Sequence, residues 1–193
     1  MTMQELSVIL KEAGVTNEDI IVSTGTSFAD SLSASAAGKP ILLVNNKSSK
    51  LSDVQNEYLA TLSTSNFYIV GGENAVSKLL ESEIKAYGET KRLGGATRYE
   101  TSVLVAKEFF TSPTTAVVAY GQNFPDGLCG GPLAAKLNAP LILTENGNEA
   151  VAVEYASENN ICKGYALGGP IIISNNVIRN IFRMDAGTSI VNK

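Results

Sequence analysis

The chain contains no histidine, and that absence removes the commonest general base and the commonest zinc ligand. A Ser-His or Cys-His catalytic pair is therefore impossible, and neither a metal nor a cofactor is expected. Cysteine is scarce, with Cys129 and Cys162 the two in 193 residues. They fall in no repeated constellation and read as small core or semi-buried thiols in preference to a disulfide. No apolar run is long enough to cross a bilayer, so no membrane partner is expected. The opening Met1-Thr2-Met3-Gln4-Glu5 has neither a cationic nor an apolar segment, so a signal peptide, if the protein is exported, is not in this chain. Basic residues number 15 against 19 acidic, a net charge of -4, and they are spread along the chain. The electrostatic footprint of a nucleic-acid binder is missing, and no nucleic-acid partner is expected.

What is present is a globular composition, 44% hydrophobic and 18% charged, written twice. Gly25-Thr26-Ser27-Phe28-Ala29-Asp30-Ser31-Leu32 returns about 96 residues later as Gly121-Gln122-Asn123-Phe124-Pro125-Asp126-Gly127-Leu128. Lys39-Pro40-Ile41-Leu42-Leu43 returns as Ala139-Pro140-Leu141-Ile142-Leu143, and Tyr68-Ile69-Val70-Gly71-Gly72 as Tyr165-Ala166-Leu167-Gly168-Gly169. Ordered matches at one period predict two units, residues 1–96 and 97–193, each just large enough to bury its own core.

Periodicity predicts helices over 4–13, 51–62, 76–87, 101–110 and 175–182, with further helices after Asp30, after Pro125 and from Glu149. Short apolar runs predict strands over 20–23, 40–44, 67–70, 115–120, 140–143 and 164–167. Near-continuous apolar strands alternating with helices give an α/β class, with mainly parallel sheets flanked by helices. The polar run Gly88-Glu89-Thr90-Lys91 reads as a short linker between the copies.

Several features admit a structural and a functional reading. The Gly-Gly pairs after two strands could present backbone N–H groups to an anion or simply make tight turns. Neither a Gly-x-Gly-x-x-Gly nor a following Lys-Ser or Lys-Thr accompanies them, so a nucleotide site lacks its parts. Asp30 and Asp126 sit where a carboxylate can cap a helix N-terminus, and a catalytic role would need a repeated partner that the sequence does not supply. The junction Arg92-Leu93-Gly94-Gly95-Ala96-Thr97-Arg98-Tyr99-Glu100-Thr101 is the densest cationic and aromatic cluster of the chain. Its arginine forks suit carboxylate or phosphate oxygens and its tyrosine suits a sugar face. Equally, Arg98 could be an internal clamp on Asp126 or on a helix C-terminus.

The run Arg92-x-x-Gly95-x-x-Arg98-Tyr99-x-Thr101, followed by Asn123-Phe124-Pro125-Asp126-Gly127-Leu128, Leu133-Ala134-Ala135 and Ala139-Pro140-Leu141-Ile142-Leu143-Thr144, resembles the cell wall binding repeat type 2 family of clostridial and related Gram-positive surface proteins. Tyr68-Ile69-Val70-Gly71-Gly72-x-x-Ala75-Val76-Ser77 adds to the likeness, which covers almost the whole chain as two tandem copies. The resemblance implies Rossmann-like or Toprim-like α/β units and a non-catalytic, extracellular module at the cell wall or cell surface. It implies anchoring by non-covalent binding to an anionic cell-wall polysaccharide, with other copies of the repeat as further partners. It ties the triplets Ile41, Leu42, Leu43 and Leu141, Ile142, Leu143 to anchoring, although they also read as strand interiors. Together with Arg92, Arg98, Tyr99, Asp30 and Asp126 they make up the expected ligand-binding set. Two departures stand out: Arg98 and Tyr99 align with Thr2 and Met3, and Ala29 replaces the proline found at position 125. Two alternatives remain, a self-assembly or interaction domain of a surface layer, and a sugar- or phosphate-processing enzyme domain using the Asp30 and Asp126 loops.

Overall fold

The computed structural model describes residues 12, 14, 18–62, 65–185 and 190. The helix expected over 4–13 lies outside these but for position 12. The described chain alternates strand and helix throughout: β1 (Asp19–Thr24), α1 (Ala29–Ser35), β2 (Ile41–Val44), α2 (Asp53–Ala60), β3 (Asn66–Val70), α3 (Lys78–Ile84) and β4 (Thr90–Leu93). There follow α4 (Arg98–Phe109), β5 (Ala116–Tyr120), α5 (Phe124–Lys136), β6 (Leu141–Thr144), α6 (Ala150–Glu158), β7 (Gly164–Leu167) and α7 (Asn175–Phe182).

Two parallel sheets result, with orders β2-β1-β3-β4 and β6-β5-β7. In each, the first strand of the copy is flanked by the next two, and the registers correspond. Val22 pairs with Leu42 and Ile69 as Val118 pairs with Ile142 and Ala166. The polar run read as a linker is instead the approach to β4, where Thr90 pairs with Phe67 and Leu93 with Val70. The alternation was hidden because Lys91 and Arg92 are held by Glu108 and Glu81 rather than by apolar neighbours. An edge strand satisfied by charge leaves no hydrophobic period to read.

Local chemistry explains where the helices begin. Ser52 and Gln55 form a reciprocal capping box at α2, and Ser77 and Ser174, at matching places in the two copies, accept from Leu80 N and Val177 N. Thr97 caps α4 through Glu100 N, which starts that helix three residues earlier than its periodicity predicts.

Each sheet is covered on both faces. Ile20, Val22, Leu42, Phe67 and Ile69 pack under α2 and α3. Ala116, Val118 and Ile142 pack under α4, α6 and α7. The remaining faces are shared between the copies. Val117, Ala119, Leu141 and Leu143 cluster with Ala134 of α5 but also with Ala29 of α1, while Ile21, Val70 and Leu93 cluster with Val105 of α4. Among the described residues no helix is long and apolar enough to cross a membrane. Cys129 and Cys162 are both free and both exposed, which corrects the expectation of semi-buried thiols: Cys129 lies on the outer side of α5 and Cys162 in the turn before β7.

Candidate functional site at the junction of the repeats

Arg92 projects from β4 onto the loop that follows β3. Its Nη1 donates to Gly71 O at 2.9 Å, its Nη2 to Val76 O at 2.8 Å, and its Nε and Nη2 to Glu81 Oε2 at 3.0 and 2.6 Å. The fork is filled by its own unit. Hydrogen bonds from Lys85 and then from Arg92 hold the Glu81 carboxyl below the usual range.

Arg98 opens α4 and joins the two copies. Its Nη1 donates to Gly121 O at the end of β5 at 2.7 Å, and its guanidinium lies 5.8 Å from the ring centroid of Phe28 in the first copy. Phe28 in turn meets Phe124 edge-on at 6.2 Å between centroids. The charge of Arg98 acts on Asp30, whose carboxyl burial nevertheless pushes above its ordinary value. Asp30 is tucked beneath the β3 turn, where a Cβ on Gly71 would stand 2.5 Å from Asp30 Oδ2. The expected capping role is not the one it plays: Phe28 is the N-cap of α1, and no side chain caps that end. At α5 the cap is Asn123, accepting from Phe124 N, and Asp126 lies in the first turn.

Tyr99, next on α4, is buried. Its hydroxyl donates to Glu145 Oε1 and accepts from Gln122 Nε2 at 2.9 Å. Burial first, and then the Glu145 hydrogen bond, push Tyr99 up to about 12. Burial also raises Glu145, but Tyr99, Gln122 and Asn148 together hold it below the ordinary carboxylate value. Ser102 then accepts from Leu143 N at 3.0 Å, so α4 lies directly along β6.

The two aliphatic triplets part company. Leu141, Ile142 and Leu143 are all sealed in the core, Leu143 at 1% exposure, which corrects their expected place in a ligand-contacting set. A molecule outside the fold cannot reach them. In the first copy Leu42 is buried, Ile41 half-buried, and Leu43 exposed at 51%. Sequence reasoning missed Glu81, Gln122 and Glu145. Glu145 and Gln122 replace Asn45 and Thr26 of the first copy, so a search for repeated pairs passes over them.

Two hollows lie beside these elements. One of about 830 Å³ runs between α6 and α7 and is rimmed by Glu149, Glu154 and Glu158, the wrong sign for an anion. A second of about 250 Å³ touches the junction at Gly95 and is lined by Glu100, Val103, Lys107 and Tyr155 among others.

The family model of Cell wall binding domain 2 (CWB2) matches residues 4–81 and 92–178. The chain belongs to this family. It is thus a cell wall binding module, with its place at the cell wall or surface. Among curated proteins it is similar to N-acetylmuramoyl-L-alanine amidase LytC of Bacillus subtilis (strain 168), 31% identical over 177 residues, which are 90% of this chain and 36% of that protein. It is also similar to the Amidase enhancer of the same organism, 36% identical over 95 residues, covering 49% of this chain and 13% of that one. Among solved structures, Cwp8 from Clostridium difficile superposes with a TM-score of 0.72 at 29% identity, over 87% of this chain and 29% of that one. Cwp6 from the same organism does so with a TM-score of 0.73 at 23% identity, over 90% and 29%. Against both Bacillus proteins and both Cwp chains, this CWB2 chain spans little more than a third of the relative's length, or less.

Proposed function

We propose that this chain is a non-catalytic anchoring module, built of units 1–96 and 97–193, that holds an anionic wall glycopolymer without transforming it. The observation that carries the reading is the pattern of sharing. Most of the chain matches part of an amidase and part of two Cwp proteins, and 49% of it matches part of an amidase enhancer, the matched stretch making up only 13% to 36% of each. A part common to proteins with different names supplies a common property, and binding is the property that the CWB2 family name gives. Arg98, whose guanidinium meets Phe28 of the first unit, serves in this reading at the joint between the units, while Arg92 and Tyr99, the other candidates with the right chemistry for polymer, have their polar groups bonded inside their own units.

The test is sedimentation of the chain with protein-free Gram-positive cell walls, before and after acid extraction of the anionic polymers. The chain is expected to pellet with intact walls, to stay in solution with extracted ones, and to release no new amino or reducing groups from either. Equal binding to extracted walls would remove the polymer from the reading, and steady release of such groups would make the module an enzyme.

A second reading, docking of a further copy of the repeat, is favoured by α5. Phe124 and Leu128 occupy the places that Phe28 and Leu32 fill in α1, yet they are 52% and 57% exposed. The α1–α5 contact is heterologous, and beyond the Phe28 edge it leaves much of Phe124 and Leu128 open to solvent. Sizing of the chain over a concentration range distinguishes a lone module from one that joins another.

A further inference from the structure

The ends of the edge strands β2 and β6 occupy equivalent places and have opposite characters. In the second copy that end is closed. Leu143 is buried beneath α4, Gln122 is bound to Tyr99 and Glu145, and the loop from 145 to 149 carries Glu145 and Glu149. In the first copy it is open. Leu43 is exposed, and so are Thr26 and Ser27 at the end of β1; a Cβ on Gly25 would stand 3.6 Å from Leu43 Cβ. The loop that follows, Asn45-Asn46-Lys47-Ser48-Ser49-Lys50, exposes two lysines and no acid.

These lysines differ from most others in the chain. Lys39, Lys78, Lys85, Lys91 and Lys107 each pair with a carboxylate. Lys47 and Lys50 have no side-chain partner among the described residues. Glu83 accepts from Leu51 N, Glu73 pairs with Lys78, and Asp53 starts α2 behind the Ser52 cap. The loop is also held in shape. Asn45 Oδ1 accepts from Lys47 N at 3.0 Å, Ser48 Oγ donates to Lys50 O at 2.6 Å, Asn46 Nδ2 donates to Asn74 O at 3.2 Å, and Gln55 Nε2 donates to Leu43 O at 2.8 Å. Such a loop presents its ammonium groups with its backbone already ordered, which lowers the entropy cost of binding.

We infer that the anionic glycopolymer is held at this end of the first copy and not at its counterpart in the second. Lys47 and Lys50 receive its phosphate or carboxylate groups, Leu43 underlies a sugar ring, and the Thr26 and Ser27 hydroxyls face the ring's own hydroxyls. This rests on the anchoring reading above and assigns the contact to named residues. It also gives the two aliphatic triplets different tasks, contact at Leu43 and core at Leu143.

The experiment compares the whole chain with K47Q/K50Q and with K136Q/K163Q, two other lysines without a side-chain partner among the described residues. The probe is protein-free Gram-positive cell walls, titrated from low to high salt. K47Q/K50Q is expected to weaken retention at least tenfold at low salt, to flatten its salt dependence, and to melt at the parental temperature, because neither side chain has an internal partner. K136Q/K163Q is expected to bind as the parent does. Parental binding by K47Q/K50Q, or an equal loss in both variants, overturns the assignment and leaves the anchoring reading standing. Failure of the unaltered chain to bind any walls overturns both.

Discussion

Arg98 makes a 2.7 Å hydrogen bond to Gly121 O, covers the Phe28 ring and faces the Asp30 carboxyl. Removing it leaves a carbonyl and a half-buried acid without their cation, so Arg98→Ala is expected to cost roughly 1–3 kcal/mol of stability. Thermal melts should record that loss, while wall retention at low temperature persists. Lost retention at an unchanged melting temperature would make Arg98 a ligand contact after all. Asp30 carries the opposite sign. Its folded pKa is raised by burial more than Arg98 lowers it, so the stability it contributes is present below the ordinary aspartate value and is lost as pH rises through the raised one. Asp30→Asn, which stays neutral, should gain on the parent as pH climbs through that window. Glu81, Asp19 and Glu145, all held low, destabilise both proteins alike on acidification and cancel in the difference. A flat difference in denaturant stability between about pH 3 and 7 would show that the Asp30 carboxyl is in effect solvated. At this scale the sequence marked Arg92, Arg98 and Tyr99 as chemically rich, but could not tell whether their partners were inside or outside. The answer depended on Glu81, Gly121 O and Glu145, which come from distant parts of the chain.

Elements were more legible than sites wherever a side chain reported its own burial. The span of α7 follows from Ser174 at its cap and from Val177, Ile181 and Phe182 on one face. Strands β1 and β5 follow from their continuous apolar runs, since both faces of each sheet are covered. One element resisted, and another, expected after Pro125, formed against its local propensity. In β4 charge pairs replaced apolar contacts, and no period remained to detect. In α5 the run Gly130-Gly131-Pro132 argues against a helix on propensity alone. The helix forms because close packing needs those small residues: a Cβ on Gly131 would stand 2.0 Å from Ser35 Oγ, and one on Gly127 2.8 Å from Leu32 Cδ1. Gly127 and Gly131 are thus the footprint of α1 from the other copy, information that the helix's own sequence does not explain.

The repeat in the sequence foretold two α/β units of like strand order, but not how far they depend on each other. Two of the four buried clusters draw residues from both copies: Ala29 and Ala36 sit with the second sheet, and Val105 sits with the first. Helices α1 and α4 therefore act as shared walls, and neither sheet can lose them without exposing Leu143 on one side or Leu93 on the other. Such coupling predicts that the chain unfolds in urea in one transition, with circular dichroism and tyrosine fluorescence coincident. Weakening the seam should separate the halves. Gly131→Leu drives a bulky side chain into Ser35 and overpacks the α1–α5 crossing, at a cost of about 1–3 kcal/mol, without touching the faces of either sheet that α2, α3, α6 and α7 cover. Two resolved transitions are then expected, the earlier one involving the shared clusters. A single transition shifted to lower urea would mean that the seam is compliant enough to absorb the leucine. Two transitions already present in the unaltered chain would show instead that the copies are stable alone and that the shared helices add position rather than stability.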